Sequence, residues 1–232
     1  MTAQPATVNT VLFDLDGTLT DSARGILDCF VHALDAVGAP RPDEQVLRGV
    51  LGPPLVHSFA QLGLDEVRIG RARAAYRARY DAQGWAQNAV YPGIPELLDR
   101  VAASGVTLGV ATSKNERMAR RILRHFDLDA HFTFIGGASD DESRTEKADV
   151  IAHTLERLGR PAVPTDGGSP SVLMIGDRSH DVIGAARFGI PAVLVGWGYG
   201  TPAEHRAARW SVSTPDELGD LLAELVAGAT VA

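Results

Sequence analysis

Cysteine occurs once in this chain of 232 residues, at Cys29. One thiol cannot close an intrachain disulfide, and the seven histidines show no zinc-ligand spacing, which points to a reducing compartment without structural zinc. No apolar run approaches the ~18 residues that a membrane-spanning helix requires. A basic surplus is missing too: 22 Lys+Arg stand against 29 Asp+Glu, a formal net charge of −7. Nucleic-acid binders normally carry the opposite balance, because cations must displace the counterions of the phosphate backbone. Any phosphate held here is therefore expected to be small and locally bound. The opening residues Met1–Thr7 lack the charged-then-apolar pattern of a secretory leader. These absences predict a cytoplasmic protein with neither nucleic acid nor membrane as partner.

What is present is ordinary for a globular chain: 45% hydrophobic and 22% charged residues exclude disorder and fibres. At a typical ~150 residues per domain, the length suits one large domain or a core with an inserted module. Thr10-Val11-Leu12-Phe13 is a short apolar run that breaks abruptly into Asp14-Leu15-Asp16-Gly17, the mark of a buried strand ending in a loop. From Asp21 to about Asn88 the signals are helical: Ser22 to Val37, Asp43 to Leu51, Leu55 to Leu62 and Asp65 to about Ala82, with no strand predicted.

After Tyr91-Pro92-Gly93 helices and strands alternate. Strands are predicted at Val106–Ala111, Phe132–Ile135, Val172–Ile175 and Ile190–Val195, with an edge strand at Trp210-Ser211-Val212. Helices are expected at Pro95–Ala103, Glu116–His125, Lys147–Leu158, a short piece after Val172–Ile175, and Pro215–Ala227; Val163–Pro170 reads as a turn-rich connection. Such alternation implies parallel strands covered by helices on both faces and joined by right-handed crossovers. The expected fold is an α/β doubly wound parallel sheet, residues 1–19 and 89–232, with an all-helical insert at 20–88.

In an open parallel sheet, ligands bind beyond the carboxyl ends of the strands. Those positions are polar here: Asp14 and Asp16 after the first strand, Thr112 and Ser113 after the second, Lys147 beyond the third, Asp177 and Asp181 after the fourth. Asp14 and Asp16 stand two apart, so both side chains are expected on one side, where a cation or proton must lie between them. Oxygen-only ligands favour a hard ion, and Mg²⁺, which takes one or two carboxylates plus substrate phosphate, suits the set Asp14, Asp16 and Asp177. An aspartate can attack phosphorus and split one displacement into two steps. Asp14 is the candidate nucleophile, and Asp16 can protonate the leaving alcohol and later deprotonate water. Lys147, Thr112, Ser113, Gly17 and Thr18 are placed to hold the transferring oxygens, with Asp181 in support.

In chain order Asp14-Leu15-Asp16-Gly17-Thr18-Leu19-Thr20, Ala111-Thr112-Ser113-Lys114, Lys147 and Gly176-Asp177-Arg178-Ser179-His180-Asp181 resemble the four motifs of the haloacid dehalogenase superfamily, over nearly the whole chain. The helical insert is similar to the cap of the phosphoglycolate phosphatase-like branch, whose caps reach substrate through loops such as Arg48–Leu55 here. The resemblance implies a Rossmann-like core, Mg²⁺ dependence and a small phosphorylated metabolite as substrate; the expected state is a monomer or small homo-oligomer. Dehalogenases lack the second aspartate and ion-pumping ATPases carry threonine there, so Asp16 points to phosphatases and phosphomutases. Phosphoglycolate is the first substrate implied. Gly176-Asp177-Arg178 is closer to a 5′-nucleotidase-like group, and a β-phosphoglucomutase-like transferase ranks third.

The third motif, Arg144-Thr145-Glu146-Lys147-Ala148, lacks the frequent Lys-Pro, which leaves Arg144 as a lesser candidate for the phosphate cation. Gly196-Trp197-Gly198-Tyr199-Gly200 does not have the spacing of a dinucleotide fingerprint and reads as a plain loop. Arg68, Arg71, Arg73, Arg77 and Arg79 read as a solvated helix face. A phosphorylation-controlled receiver domain also sets acids, a hydroxyl and a lysine at strand ends. That fold needs only ~120 residues and no helical insert, and its phosphorylated aspartate follows a later strand.

Overall fold

A computed structural model describes residues 7–160 and 171–228; the predicted turn-rich stretch Val163–Pro170 lies outside them. The chain forms two compact units, one of Met1–Thr20 with Val90–Ala232, the other of Asp21–Ala89. In chain order the elements are β1 (Thr10–Phe13), β2 (Thr20–Asp21), α1 (Ala23–Ala36), α2 (Glu44–Arg48), α3 (Leu55–Gln61), α4 (Glu66–Ala82), β3 (Ala89–Val90), α5 (Ile94–Ala103), β4 (Thr107–Asn115), α6 (Glu116–His125), β5 (Phe134–Ala138), α7 (Lys147–Arg157), β6 (Val172–Gly176), α8 (Ser179–Ala186), β7 (Ala192–Val195), α9 (Pro202–Ala207), β8 (Trp210–Val212) and α10 (Pro215–Val226).

The larger unit is built on a six-stranded sheet of order β5-β4-β1-β6-β7-β8. Its pairs are all parallel, so the topology is the doubly wound one that reverses direction beside the first strand. All four β1 residues are buried, as are all five of β6, which is the burial expected of central strands covered on both faces. On one face Leu12, Val172 and Met174 pack with Ala148, Ile151 and Leu155 of α7 and Ala185 of α8. Deleting such a buried side chain, Leu12→Ala for example, would cost about 2–5 kcal/mol.

The smaller unit owes its helices to apolar spacing. Ile26, Cys29, Phe30, Ala33 and Leu34 make the buried stripe of α1, recurring at three and four residues. Phe30 stacks on Phe59 of α3 with ring centroids 4.6 Å apart. The start of α4 is fixed by Asp65, whose carboxylate accepts from the Arg68 N–H at 2.8 Å, one of the donors left over at any helix start. No described helix is long and apolar enough to cross a membrane.

Several elements differ from the sequence expectation, among them the short helix α9, which that expectation lacks. β2 and β3, where the chain passes between the units, pair as a two-stranded sheet; each has two residues, too few for a period to show. β4 continues past Ala111 to Asn115, so Thr112 and Ser113 lie within the strand, which rejoins β5 at Asn115–Ala138 after a register shift. β5 begins at Phe134 rather than Phe132 because a short 3-10 turn at Asp129–His131 displaces its start.

Candidate active site

Adjacent strands bring the acids together. Asp14 follows β1 directly and Asp177 follows β6 directly, and the Asp14 N–H donates to the Ile175 carbonyl at 2.8 Å, so the ladder of the central strand pair sets the spacing of the two residues. Asp181 enters from the first turn of α8, where its Oδ2 accepts from the Arg178 N–H at 3.1 Å. One carboxylate oxygen from each of Asp14, Asp177 and Asp181 lies within 4.8 Å of the others, and all three residues are buried.

One cation stands among them. Lys147, the first residue of α7, places Nζ 3.1 Å from Asp14 Oδ1 and 2.6 Å from Asp181 Oδ1, and Nζ donates to the Ala111 carbonyl at 3.0 Å. Its side chain is only 7% exposed, which is not the solvated side chain that a helix's first turn would ordinarily carry. Burial alone would lower its pKa; attraction to Asp14 and then Asp181 outweighs burial and holds the ammonium above the usual lysine range.

Three carboxylates against one ammonium leave two negative charges uncompensated. At these separations each carboxylate pair repels by on the order of 3–4 kcal/mol at an effective dielectric of about 20. The strain shows at Asp177: burial first, then the charges of Asp181 and Asp14, push its carboxyl up to about 8. Burial likewise pushes Asp181 up. Asp177 Oδ2 accepts from the Tyr199 N–H at 2.7 Å, whereas its Oδ1 is buried with no hydrogen-bond partner. An orphaned carboxylate oxygen beside two more carboxylates, with oxygen donors alone, is the chemistry of a divalent hard-cation site. The acidic cluster fits a metal ion.

Asp16 stands apart from that cluster. The chain leaves strand geometry at Phe13 and bends at Leu15, so the two-residue alternation does not extend to Asp16, and its Oδ2 pairs instead with Lys114 Nζ at 2.8 Å. Asp14 and Asp16 thus pair with different lysines, Lys147 and Lys114. Sequence reasoning assigned no role to Lys114, although a signal was present: of 22 basic residues only Lys114 and Lys147 are lysines, and each pairs with a strand-end aspartate.

The other candidates fall around this arrangement. Gly17 has φ +83°, and a Cβ there would collide with the Asp177 carboxylate, so the chain passes the site only because the position is glycine. Thr18 is fully buried and its Oγ has no hydrogen-bond partner. Thr112 is buried in β4 beside Ala111, and its Oγ accepts from the Lys114 N–H at 3.2 Å. Ser113 is exposed. Neither residue caps α6, whose N-cap is Asn115, accepting from the Met118 N–H. Arg144 is engaged elsewhere, donating to the Gly137 carbonyl at 2.8 Å and pairing with Glu116 at 3.1 Å.

The segment read as a plain loop after β7 lies against the site: the Trp197 indole N–H donates to the Thr18 carbonyl at 3.0 Å, and Tyr199 is the backbone donor to Asp177.

Residues 11–195 match the model of the haloacid dehalogenase-like hydrolase family. Tyrosine-protein kinase PtkA of Mycobacterium tuberculosis is 52% identical over 190 residues, 82% of this chain, which spans 62% of that kinase's length. A 5′-nucleotidase of Pseudomonas aeruginosa is 44% identical over 198 residues, 85% of this chain and 86% of that one. A crystal structure described as a predicted phosphatase from Clostridium acetobutylicum superposes with a TM-score of 0.86 at 38% identity, covering 94% of this chain and 100% of the other. With four motifs at strand ends and a helix start of a doubly wound sheet, and this likeness along most of its length, the chain belongs to the haloacid dehalogenase-like hydrolase family.

Proposed function

We propose that this protein is a Mg²⁺-dependent phosphatase that hydrolyses a small phosphomonoester through an aspartyl-phosphate at Asp14. The observation that carries the reading is the pairing of Asp14 Oδ1 with Lys147 at 3.1 Å inside a buried cluster of three carboxylates. Asp14 and Asp177 would hold the ion, with Asp181 beside them, and a bound Mg²⁺ would offset the negative charge of the phosphoryl oxygens.

In the first step Asp14 attacks phosphorus as the bond to the leaving oxygen breaks, and Asp16 gives that oxygen a proton, releasing an alcohol. In the second, Asp16 takes a proton from water as the water oxygen attacks the same phosphorus; the bond to Asp14 breaks, freeing phosphate and restoring the carboxylate. Lys147 orients Asp14 and stands against the charge that builds on the transferring group, with Thr112, Ser113 and the backbone at Gly17 and Thr18 around it. Asp16 begins as the partner of Lys114, so a substrate phosphate drawing Lys114 to itself would free Asp16 for proton transfer.

The 44% identity to the 5′-nucleotidase over most of both chains, joined to Arg178 in the fourth motif, favours a nucleoside 5′-monophosphate, with phosphoglycolate next. A second reading, phosphoryl transfer to a protein tyrosine, is favoured by the 52% identity to PtkA. Purified protein assayed with 5′-mononucleotides, 2-phosphoglycolate and sugar phosphates, with Mg²⁺ or EDTA, separates them. Metal-dependent phosphate release concentrated on one substrate supports the phosphatase. Absence of release together with label transferred from ATP to a tyrosine peptide supports the kinase.

A further inference from the structure

We infer that Glu204 and the loop it closes, residues 196–201, hold the carboxylates of Asp177 and Asp181 in register with Asp14, which makes Glu204 a positioning residue for the metal site. The inference rests on the metal-dependent reading above. One carboxylate joins two helix starts: Glu204 Oε2 accepts from the Thr201 N–H at 2.8 Å at the head of its own helix, α9, and Oε1 accepts from the Ser179 N–H at 2.8 Å at the head of α8. Oε1 also pairs with Arg178 Nε at 3.2 Å. Arg178 and Ser179 lie directly between Asp177 and Asp181 in sequence, so Glu204 grips the stretch that carries both acids.

The loop on the near side of Glu204 grips the same place. Tyr199 donates its N–H to Asp177 Oδ2, and Trp197 fastens the loop to the Thr18 carbonyl on the Asp14 side. Gly198 is closely packed between them: a Cβ there would strike the Gly17 carbonyl and the Asp177 side chain. Three buried carboxyl groups with oxygens within 4.8 Å of one another keep that spacing only where their neighbours fix it. Glu204 meets that requirement. Burial would raise its pKa, but the N–H groups of Ser179 and Thr201 outweigh burial and hold the carboxyl well below the ordinary range, so it stays an acceptor. Partners that orient metal ligands in this way typically contribute about 10–100-fold to metal affinity.

The test is Glu204→Gln, which keeps the shape but turns a donor NH₂ toward one of the two N–H groups. Binding of Mn²⁺ is read from the loss of the free-ion signal by electron paramagnetic resonance on the full chain, beside kcat at saturating metal and the melting temperature. The expected result is about 10–100-fold weaker Mn²⁺ binding, with kcat at saturating metal falling by a smaller factor. A carboxylate that only stabilises the fold would lower the melting temperature and leave Mn²⁺ affinity unchanged, and that outcome overturns the inference. Should Glu204→Gln fail to fold, Trp197→Phe removes the indole N–H bond to Thr18 and part of the ring, with about fivefold weaker binding expected and unchanged binding overturning the inference. Wild-type protein that binds no Mn²⁺ overturns the metal reading itself, whereas wild-type binding with unaltered variants overturns the positioning role alone.

Discussion

Lys114 Nζ lies 2.8 Å from Asp16 Oδ2, so the second acid of the Asp-x-Asp pair is held by a different cation from the first, which pairs with Lys147. Two carboxylates two residues apart are thereby kept from competing for one charge. Asp14 remains with the acidic cluster, and in the proposed mechanism Asp16 is left to transfer the proton.

Asp14→Asn should abolish phosphate release, a loss on the order of 10³-fold or more, while leaving the fold intact, since the amide keeps the shape of the carboxylate. Phosphate release and a thermal melt check both halves. Turnover near the wild-type level would refute an aspartyl-phosphate at this residue.

Lys114→Met should leave Mn²⁺ binding intact and reduce kcat/KM about tenfold or more, because the substrate phosphate loses the cation it would draw from Asp16, a charge-assisted contact worth about 1.5–3 kcal/mol. Steady-state kinetics beside a Mn²⁺ titration check both halves, and an unchanged kcat/KM would show that the ion pair has no part in the reaction.

Lys147→Met should destabilise the metal-free protein by about 3–5 kcal/mol, the usual consequence of removing one member of a buried ionic network and leaving the others uncompensated. The side chain is 7% exposed, so water does little to screen the loss. Denaturant titrations of the two proteins give the difference, and added Mg²⁺ should recover part of it.

The metal-free protein should lose stability as the pH rises. Asp177 is pushed up to about 8 in the fold from an ordinary 3.8, so the folded state binds more protons than the unfolded state in that window. The favourable contribution is therefore complete below the ordinary value and disappears as the pH passes through the raised one. Metal replaces the proton, and Mg²⁺ should raise the melting temperature more at about pH 9 than at about pH 6. An equal shift at both pH values would count against Asp177 as a ligand.

Much of this architecture is legible in the residues themselves. The apolar run Thr10–Phe13 stopping at Asp14 announces a buried strand with a functional end, and the helix–strand alternation after Pro92 announces the parallel sheet. Asp14, Asp177, Asp181 and Lys147 converge because the strand ends of such a sheet share one edge. What sequence does not display is interaction carried by backbone or by distance. Thr112, Ser113 and Lys114 hid the continuation of β4 because polar residues at a strand's end read as a loop. The role of residues 196–201 depends on a main-chain N–H at Tyr199 and on contacts such as Trp197 to Thr18, 179 positions apart in the chain, for which no local pattern exists.

The scarcity of lysine has a practical side. Surface cations in this chain are arginines, and its two side-chain amines are 9% and 7% exposed beside the strand-end acids. Amine-directed acylating reagents therefore meet no lysine on the protein's outer surface. Among side chains their incorporation, followed by mass spectrometry, reports access to Lys114 and Lys147 alone, so protection by a bound phosphomonoester becomes a direct footprint of the site, independent of turnover.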